Sequence, residues 1–77
     1  MQLTYDTEGD TLLVNFRDPH GTCATTPLPD GLRFLHEDAD GLVSIEFIEV
    51  SRGISLDGLA DAPAIAAALG FLRAPAA

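Results

Sequence analysis

Residues 31–50 read GLRFLHEDADGLVSIEFIEV, and this stretch decides the fold. Its two ends, 31–36 and 42–50, carry the apolar and aromatic residues that favour β-strands. The polar sequence EDADG at 37–41 separates them and has the composition of a turn. The stretch therefore predicts an antiparallel hairpin.

The loop length of this hairpin predicts its register. Closing a four-residue loop at 38–41 places apolar residues opposite apolar residues and a basic residue opposite an acidic one. The predicted pairs are Phe34 with Ile45, Leu32 with Phe47, and Arg33 with Glu46. We expect the last pair to be a surface ion pair. Ile48 and Val50 then point to the face opposite Ile45, so the long strand carries apolar side chains on both faces.

A second hairpin is predicted near the start of the chain. Segments 2–6 and 11–16 alternate apolar and polar residues, as half-buried strands do. Folding about Glu8-Gly9 gives the pairs Tyr5 with Leu12 and Leu3 with Val14. We expect Gly9 to supply the positive φ of the turn.

A short β-prone segment at 23–28 lies between the hairpins. Pro27 and Pro29 limit its pairing, because proline has no amide hydrogen to donate to a neighbouring strand. The segment is predicted to be an edge strand that is protected against further pairing.

The last part of the chain predicts a helix. Asp61 is a good N-cap and Pro63 suits a first turn. An apolar stripe follows at Ile65, Ala68, Leu69 and Leu72. The chain is thus predicted to be one α+β domain, with a four- or five-stranded antiparallel β-sheet in 2–50, a connection in 51–60 and one C-terminal helix in 61–73.

Two motifs resemble those of a known family. Residues 5–12 read YDTEGDTL and match a YDxExDxL opening, and residues 40–51 read DGLVSIEFIEVS and match a DGxLVGIEILDAS-like strand, with a one-residue difference at the turn. Over residues 1–51 the chain resembles the bacterial domain-of-unknown-function family 2283. It departs from that pattern at Leu13, Ser44 and Phe47, where many members have Tyr, Gly and Leu.

The resemblance implies a compact stand-alone bacterial protein with a small antiparallel sheet followed by a helix or short tail. It implies no established activity. Some relatives are suspected of being antitoxin-like partners of small toxins, which implies a protein partner as one function for this chain.

The charge of the chain limits its partners. Twelve acidic residues against four basic ones give a net charge of −8 and a pI near 4.2. Such a chain is repelled by phosphate backbones and anionic lipids, so we expect no nucleic-acid and no membrane partner. The acidity fits either solubility or a basic protein partner. No segment reaches the ~20 apolar residues of a membrane span, and no signal peptide is evident, so a cytoplasmic location is predicted.

Residues capable of chemistry are present, but their spacing is not that of a known site. Asp6, Glu8 and Asp10 lie in or beside the first turn, where carboxylates cap amides or face water. His20, Cys23 and His36 lack the paired spacing of zinc ligands, and with Ser51 or Ser55 they form no nucleophile motif. We therefore predict no catalytic residue, no metal and no cofactor.

Self-association is the expected source of extra stability. A chain of 77 residues has a small core, and its single cysteine cannot form an internal disulfide. The predicted oligomer interface, most simply that of a homodimer, is Leu13, Leu35, Ile48 and Val50. The function predicted is a non-enzymatic interaction module that self-associates; the alternative is a small hydrolase or metal-assisted enzyme with a site shared between protomers.

Overall fold

The computed structural model describes residues 1–72, without the side chains of 71 and 72. Its elements are β1 (Gln2–Asp6), β2 (Thr11–Asn15), β3 (Ala24–Pro27), β4 (Arg33–Asp38), β5 (Gly41–Phe47), a 3-10 turn (Val50–Arg52) and α1 (Ala62–Leu72). The strands form one antiparallel sheet in the order β1-β2-β5-β4-β3. The predicted α+β fold, a four- or five-stranded antiparallel sheet with one C-terminal helix, is confirmed, and the number of strands is five. The predicted last helical residue, Arg73, lies outside the described residues.

The first hairpin has the predicted register. Tyr5 lies opposite Leu12 and Leu3 opposite Val14. The prediction for the turn was wrong, because the positive φ belongs to Asp10 (52°) and not to Gly9. Aspartate tolerates this left-handed conformation better than most residues do, and here its carboxylate also accepts hydrogen bonds from Ser51.

The second hairpin departs from the predicted register by one residue. Near the turn Asp38 pairs with Gly41 as expected, but an irregularity between His36 and Glu37 shifts every pair beyond it. The observed pairs are Arg33 with Phe47, Phe34 with Glu46, and Leu35 with Ile45. A β-bulge has this effect, since its extra residue on one strand moves the following side chains to the other face.

Strand β5 is also shorter than predicted. It ends at Phe47, and Glu49 adopts a left-handed conformation (φ 53°) that directs the chain into the 3-10 turn at 50–52. The sheet therefore occupies residues 2–47 and not 2–50. Ile48 and Val50 are not residues of a strand.

One face of the sheet carries the core. Side chains from β2 and β5 pack with one helical residue, Ile65, which is fully buried. The cluster consists of Leu12, Val14, Ile45, Phe47 and Ile65. Ile54 and Leu56 of the connection pack against it, as does Leu69 of α1. The predicted helical stripe is thus confirmed at Ile65 and Leu69, whereas the side chain of Leu72 lies outside the described part.

The outer face is more polar than the sequence predicted. One row of paired residues across it is Gln2, Asn15, Ser44, His36 and Thr25, and the next is Thr4, Leu13, Glu46, Phe34 and Pro27. Leu35 does not belong to this face: it lies opposite Ile45 and packs against the core, as Val50 also does. Leu35 was grouped with Leu13 in the predicted interface, but it lies on the core face, because the extra residue Val43 in β5 shifts the register of β4 by one residue.

The helix α1 has 11 residues. Among residues 1–72, none of the helices has the length and apolar character needed to cross a bilayer.

Candidate functional site

An ion pair between Arg17 and Asp38 joins two distant parts of the chain. Arg17 follows β2, and its guanidinium donates to both carboxylate oxygens of Asp38 at 2.6 and 2.7 Å. The Asp38 side chain is completely covered, while that of Arg17 is 30% exposed. The backbone amides of His20 and Asp40 donate to the same carboxylate. The pair therefore fixes the loop after β2 against the β4–β5 turn.

These contacts determine the charge of the cluster. Hydrogen bonds from the Arg17 guanidinium, and next from the His20 amide, hold the pKa of Asp38 well below its ordinary value. Hydrogen bonding to Asp38 raises the pKa of Arg17 in return. Both groups are thus charged at neutral pH.

His20, Asp38 and Asp40 form the one group of potential metal ligands found among the described residues. The Asp38 carboxylate does not suit a cation, because each of its oxygens already accepts two hydrogen bonds and Arg17 supplies a positive charge at contact distance. Without it only His20 and Asp40 remain, joined by a 2.9 Å hydrogen bond. We interpret the group as a set of structural contacts that hold the loop after β2 against the β4–β5 turn.

A second cluster of hydrogen-bonded polar side chains lies at the other end of the sheet. Asp10 accepts hydrogen bonds from the Ser51 hydroxyl (2.6 Å), the Ser51 amide (3.0 Å) and the Tyr5 hydroxyl (3.0 Å). The Ser51 hydroxyl is the main reason that the pKa of Asp10 is lowered, and the bond to Asp10 raises the pKa of Tyr5. This serine contacts a carboxylate without an intervening base, so the cluster lacks the order of groups that activates a nucleophile.

Arg33 is buried, contrary to the prediction of a surface pair with Glu46. The shifted register places it on the core face opposite Phe47, with only 8% of the residue exposed. Its guanidinium contacts Asp30 at 2.9 Å and donates to the backbone carbonyls of Ser55 and Asp57. Arg33 thus holds the connection before α1 against the sheet.

The remaining predicted candidates do not converge. His36 lies on the outer face, where its Nδ1 is 2.9 Å from the Thr25 hydroxyl and its Nε2 is 3.6 Å from Glu46. His20 contacts Asp40 in a different cluster, and Cys23 is a half-buried free thiol. The histidines that a zinc or nucleophilic site would need are therefore held in separate structural contacts.

Two shallow grooves are present on the described part of the chain. The larger, of about 270 Å3, lies between the connection and α1 and is lined by Ile54, Leu56, Ala66, Leu69 and Gly70. The other, of about 260 Å3, is lined by residues 1–2 and 15–18. The lining of the larger groove has no titratable side chain. The other groove has Asp18 and Arg17, and the Arg17 guanidinium already binds Asp38, so Asp18 is the one carboxylate in its lining.

The two edges of the sheet differ in composition. Strand β3 is exposed along its length and contains Pro27, as the sequence predicted for a protected edge strand. Strand β1 forms the opposite edge, and its sequence QLTYD contains no proline, glycine or lysine. Within residues 1–72, the backbone of β1 pairs only with β2. One edge of the sheet therefore remains open to pairing.

Of the predicted interface residues, two remain on the surface. Leu13 is 36% exposed on the outer face, and Ile48 is half-buried just beyond β5, whereas Leu35 and Val50 are half-buried residues that pack against the core. The sequence did not predict that Arg17 binds Asp38, 21 residues away, or that Arg33 binds the backbone carbonyls of Ser55 and Asp57, 22 and 24 residues away.

Searches against protein-family models, curated proteins and solved structures found no match to this chain. The resemblance to family 2283 stays a prediction.

Proposed function

We propose that this protein is a non-enzymatic interaction module whose copies associate with one another. The observation that carries the proposal is the small size of its core relative to its exposed apolar surface. Six hydrophobic residues are buried among the described residues, while four large ones are 36–53% exposed: Met1, Tyr5, Leu13 and Leu32. A short chain with this balance gains stability when a partner covers such residues.

The alternative, an enzyme with a site shared between protomers, has less support. Its candidate groups take part in contacts that serve the fold: Asp38 binds Arg17, Asp10 binds Ser51, and His36 contacts Thr25. Perturbed pKa values mark active sites, but ion-pair networks that stabilise a fold also produce them. In this protein the hydrogen-bond partners of Asp38 and Asp10, and the directions in which their pKa values shift, are those of networks that stabilise a fold.

A basic protein is the second candidate partner. The net charge of −8 would attract a cationic surface and raise the rate of association with it. An antitoxin-like role, as the family resemblance implies, is one form that this interaction would take in the proposed cytoplasmic location.

The mass in solution tests self-association. Light scattering coupled to size exclusion is run at high micromolar concentration in low and in high salt. We expect a mass above the 8.1 kDa of one chain. The excess should grow with salt, because two chains of charge −8 repel each other and salt screens charges beyond ~8 Å at physiological strength. A mass of 8.1 kDa under both conditions would contradict the proposal.

A further inference from the structure

The edge of β1 is open to pairing with another strand. Edge strands expose unpaired amide and carbonyl groups, and natural sheets usually protect them with proline, lysine or a bulge. Strand β3 has Pro27, and Pro29 follows it. Strand β1 has five residues without proline, lysine or a bulge, its one charged residue is Asp6 at the end of the strand, and its Tyr5 is 48% exposed. The strand therefore has both the backbone groups and the side chain to accept another strand.

We propose that β1 pairs antiparallel with β1 of a second copy, so that the two sheets join into one ten-stranded sheet. This inference rests on the proposed self-association and names its surface. The register follows from the two-fold symmetry of such a pair. When Thr4 lies opposite Thr4 of the partner subunit, all five residues of one strand pair with all five of the other, and the two core faces lie on the same side.

This register matches the side chains of the two strands. Leu3 of each subunit lies opposite the partner's Tyr5. Each of the two exposed tyrosine rings is therefore covered by a leucine of the other subunit. In each subunit Leu3 also pairs with Val14, which pairs with Ile45, so an apolar row continues across the junction. Gln2 faces the partner's Asp6, which separates the two Asp6 carboxylates. Aromatic–aliphatic pairs of this kind stabilise neighbouring strands.

The partner at this edge is a second copy of the chain, because the side chains of β1 are complementary to those of another β1 strand. A five-residue strand pair is about 17 Å long at about 3.4 Å per residue. It therefore belongs to the small class of interfaces, below about 1,200 Å2, whose complexes are weak and reversible. We expect a monomer–dimer equilibrium in the micromolar range.

A matched pair of lysine variants tests the edge. Thr4→Lys places two ammonium groups opposite each other at the two-fold axis, and we expect the dimer dissociation constant to rise about tenfold. Thr26→Lys makes the same change on the exposed strand β3 and should leave the constant unchanged within about twofold. Each variant reduces the net charge from −8 to −7, which lowers the general repulsion between copies. A weaker Thr4→Lys dimer is therefore a local effect. Far-UV circular dichroism checks that both variants fold.

Cysteine cross-linking gives an independent measurement. In a Cys23→Ser background, Thr4→Cys should form a disulfide-linked dimer under mild oxidation, because directly opposed strand residues have Cα atoms about 4.5–5.5 Å apart, within disulfide range. Thr26→Cys should not. A wild-type dimer that Thr4→Lys does not weaken and that Thr4→Cys does not cross-link would overturn the β1 edge while leaving self-association intact. A wild-type protein that is monomeric throughout would overturn both.

Discussion

Ile65 is the residue through which the helix is anchored to the sheet, and its truncation should remove much of the stability of the fold. It is 0% exposed and, among the described side chains of α1, is the one in the buried core cluster. Ile65→Ala removes three carbon groups, which at about 0.8 kcal/mol each amount to about 2.4 kcal/mol of transfer free energy. A cavity that does not collapse adds to this, so we expect a loss of about 3–4 kcal/mol.

This loss is large for a chain of this length. At about 0.05–0.15 kcal/mol per residue, 77 residues correspond to a free energy of unfolding of about 4–12 kcal/mol. Urea unfolding followed by far-UV circular dichroism measures the change, since the chain has no tryptophan. Wild type and variant are compared at the same low protein concentration, because association with a second copy would add stability.

Leu32→Ala is the matched control. It removes the same number of carbon groups from a residue that is 38% exposed and lies outside the core cluster. We expect it to cost less than half as much as Ile65→Ala, because less apolar surface returns to water and no closed cavity forms. If Ile65→Ala costs no more than Leu32→Ala, the helix is not anchored by this contact and the description of the core is wrong.

Three further predictions concern the polar contacts and the turn. The stability difference between wild type and Asp38→Asn should be constant above about pH 5 and shrink below it. The folded protein holds the pKa of Asp38 under its ordinary value of 3.8, so the unfolded chain takes up the proton first as the pH falls. A difference independent of pH in urea titrations would refute this. Arg33→Met should increase proteolytic cleavage within residues 53–61, because the Arg33 guanidinium holds that connection against the sheet, and it should leave the strand signal in circular dichroism unchanged. Unchanged cleavage would count against this role of Arg33. Gly41→Ala should lower the free energy of unfolding by about 1–3 kcal/mol because φ is 117° there, as chemical denaturation can measure.

Local signals in the sequence determined much of the fold. In the first hairpin the alternation of residues and the turn composition agreed, and the predicted pairs of Leu3 and Tyr5 were confirmed. The start of α1 at Ala62 was also predictable, because Asp61 and Pro63 mark a helix start.

The second hairpin shows where local signals fail. The bulge at Val43 of β5, opposite His36 and Glu37, has no distinctive composition, yet the shifted register turns Leu35 towards the core and places Arg33 under the connection. The predicted register gave the best match of charge and hydrophobicity between opposed residues. It nevertheless differs from the observed register by one residue. Packing against the rest of the chain decides such a shift, and a pairwise comparison of two strands does not contain that information.

The polar clusters were the least predictable part. Arg17 and Asp38 are 21 residues apart, and Asp10 and Ser51 are 41 apart, so no spacing rule connects them. The sequence did indicate that Asp10 would serve the fold and not chemistry, and its contacts with the Ser51 amide and hydroxyl are consistent with that interpretation.

Hydrogen–deuterium exchange of the β1 amides at low and high protein concentration tests the paired edge most directly. If copies join through β1, exchange in residues 2–6 should slow as the concentration rises, while exchange in the opposite edge strand, residues 24–27, should stay the same. Exchange in β1 that does not depend on concentration, over a range in which the measured mass increases, would contradict pairing at this edge.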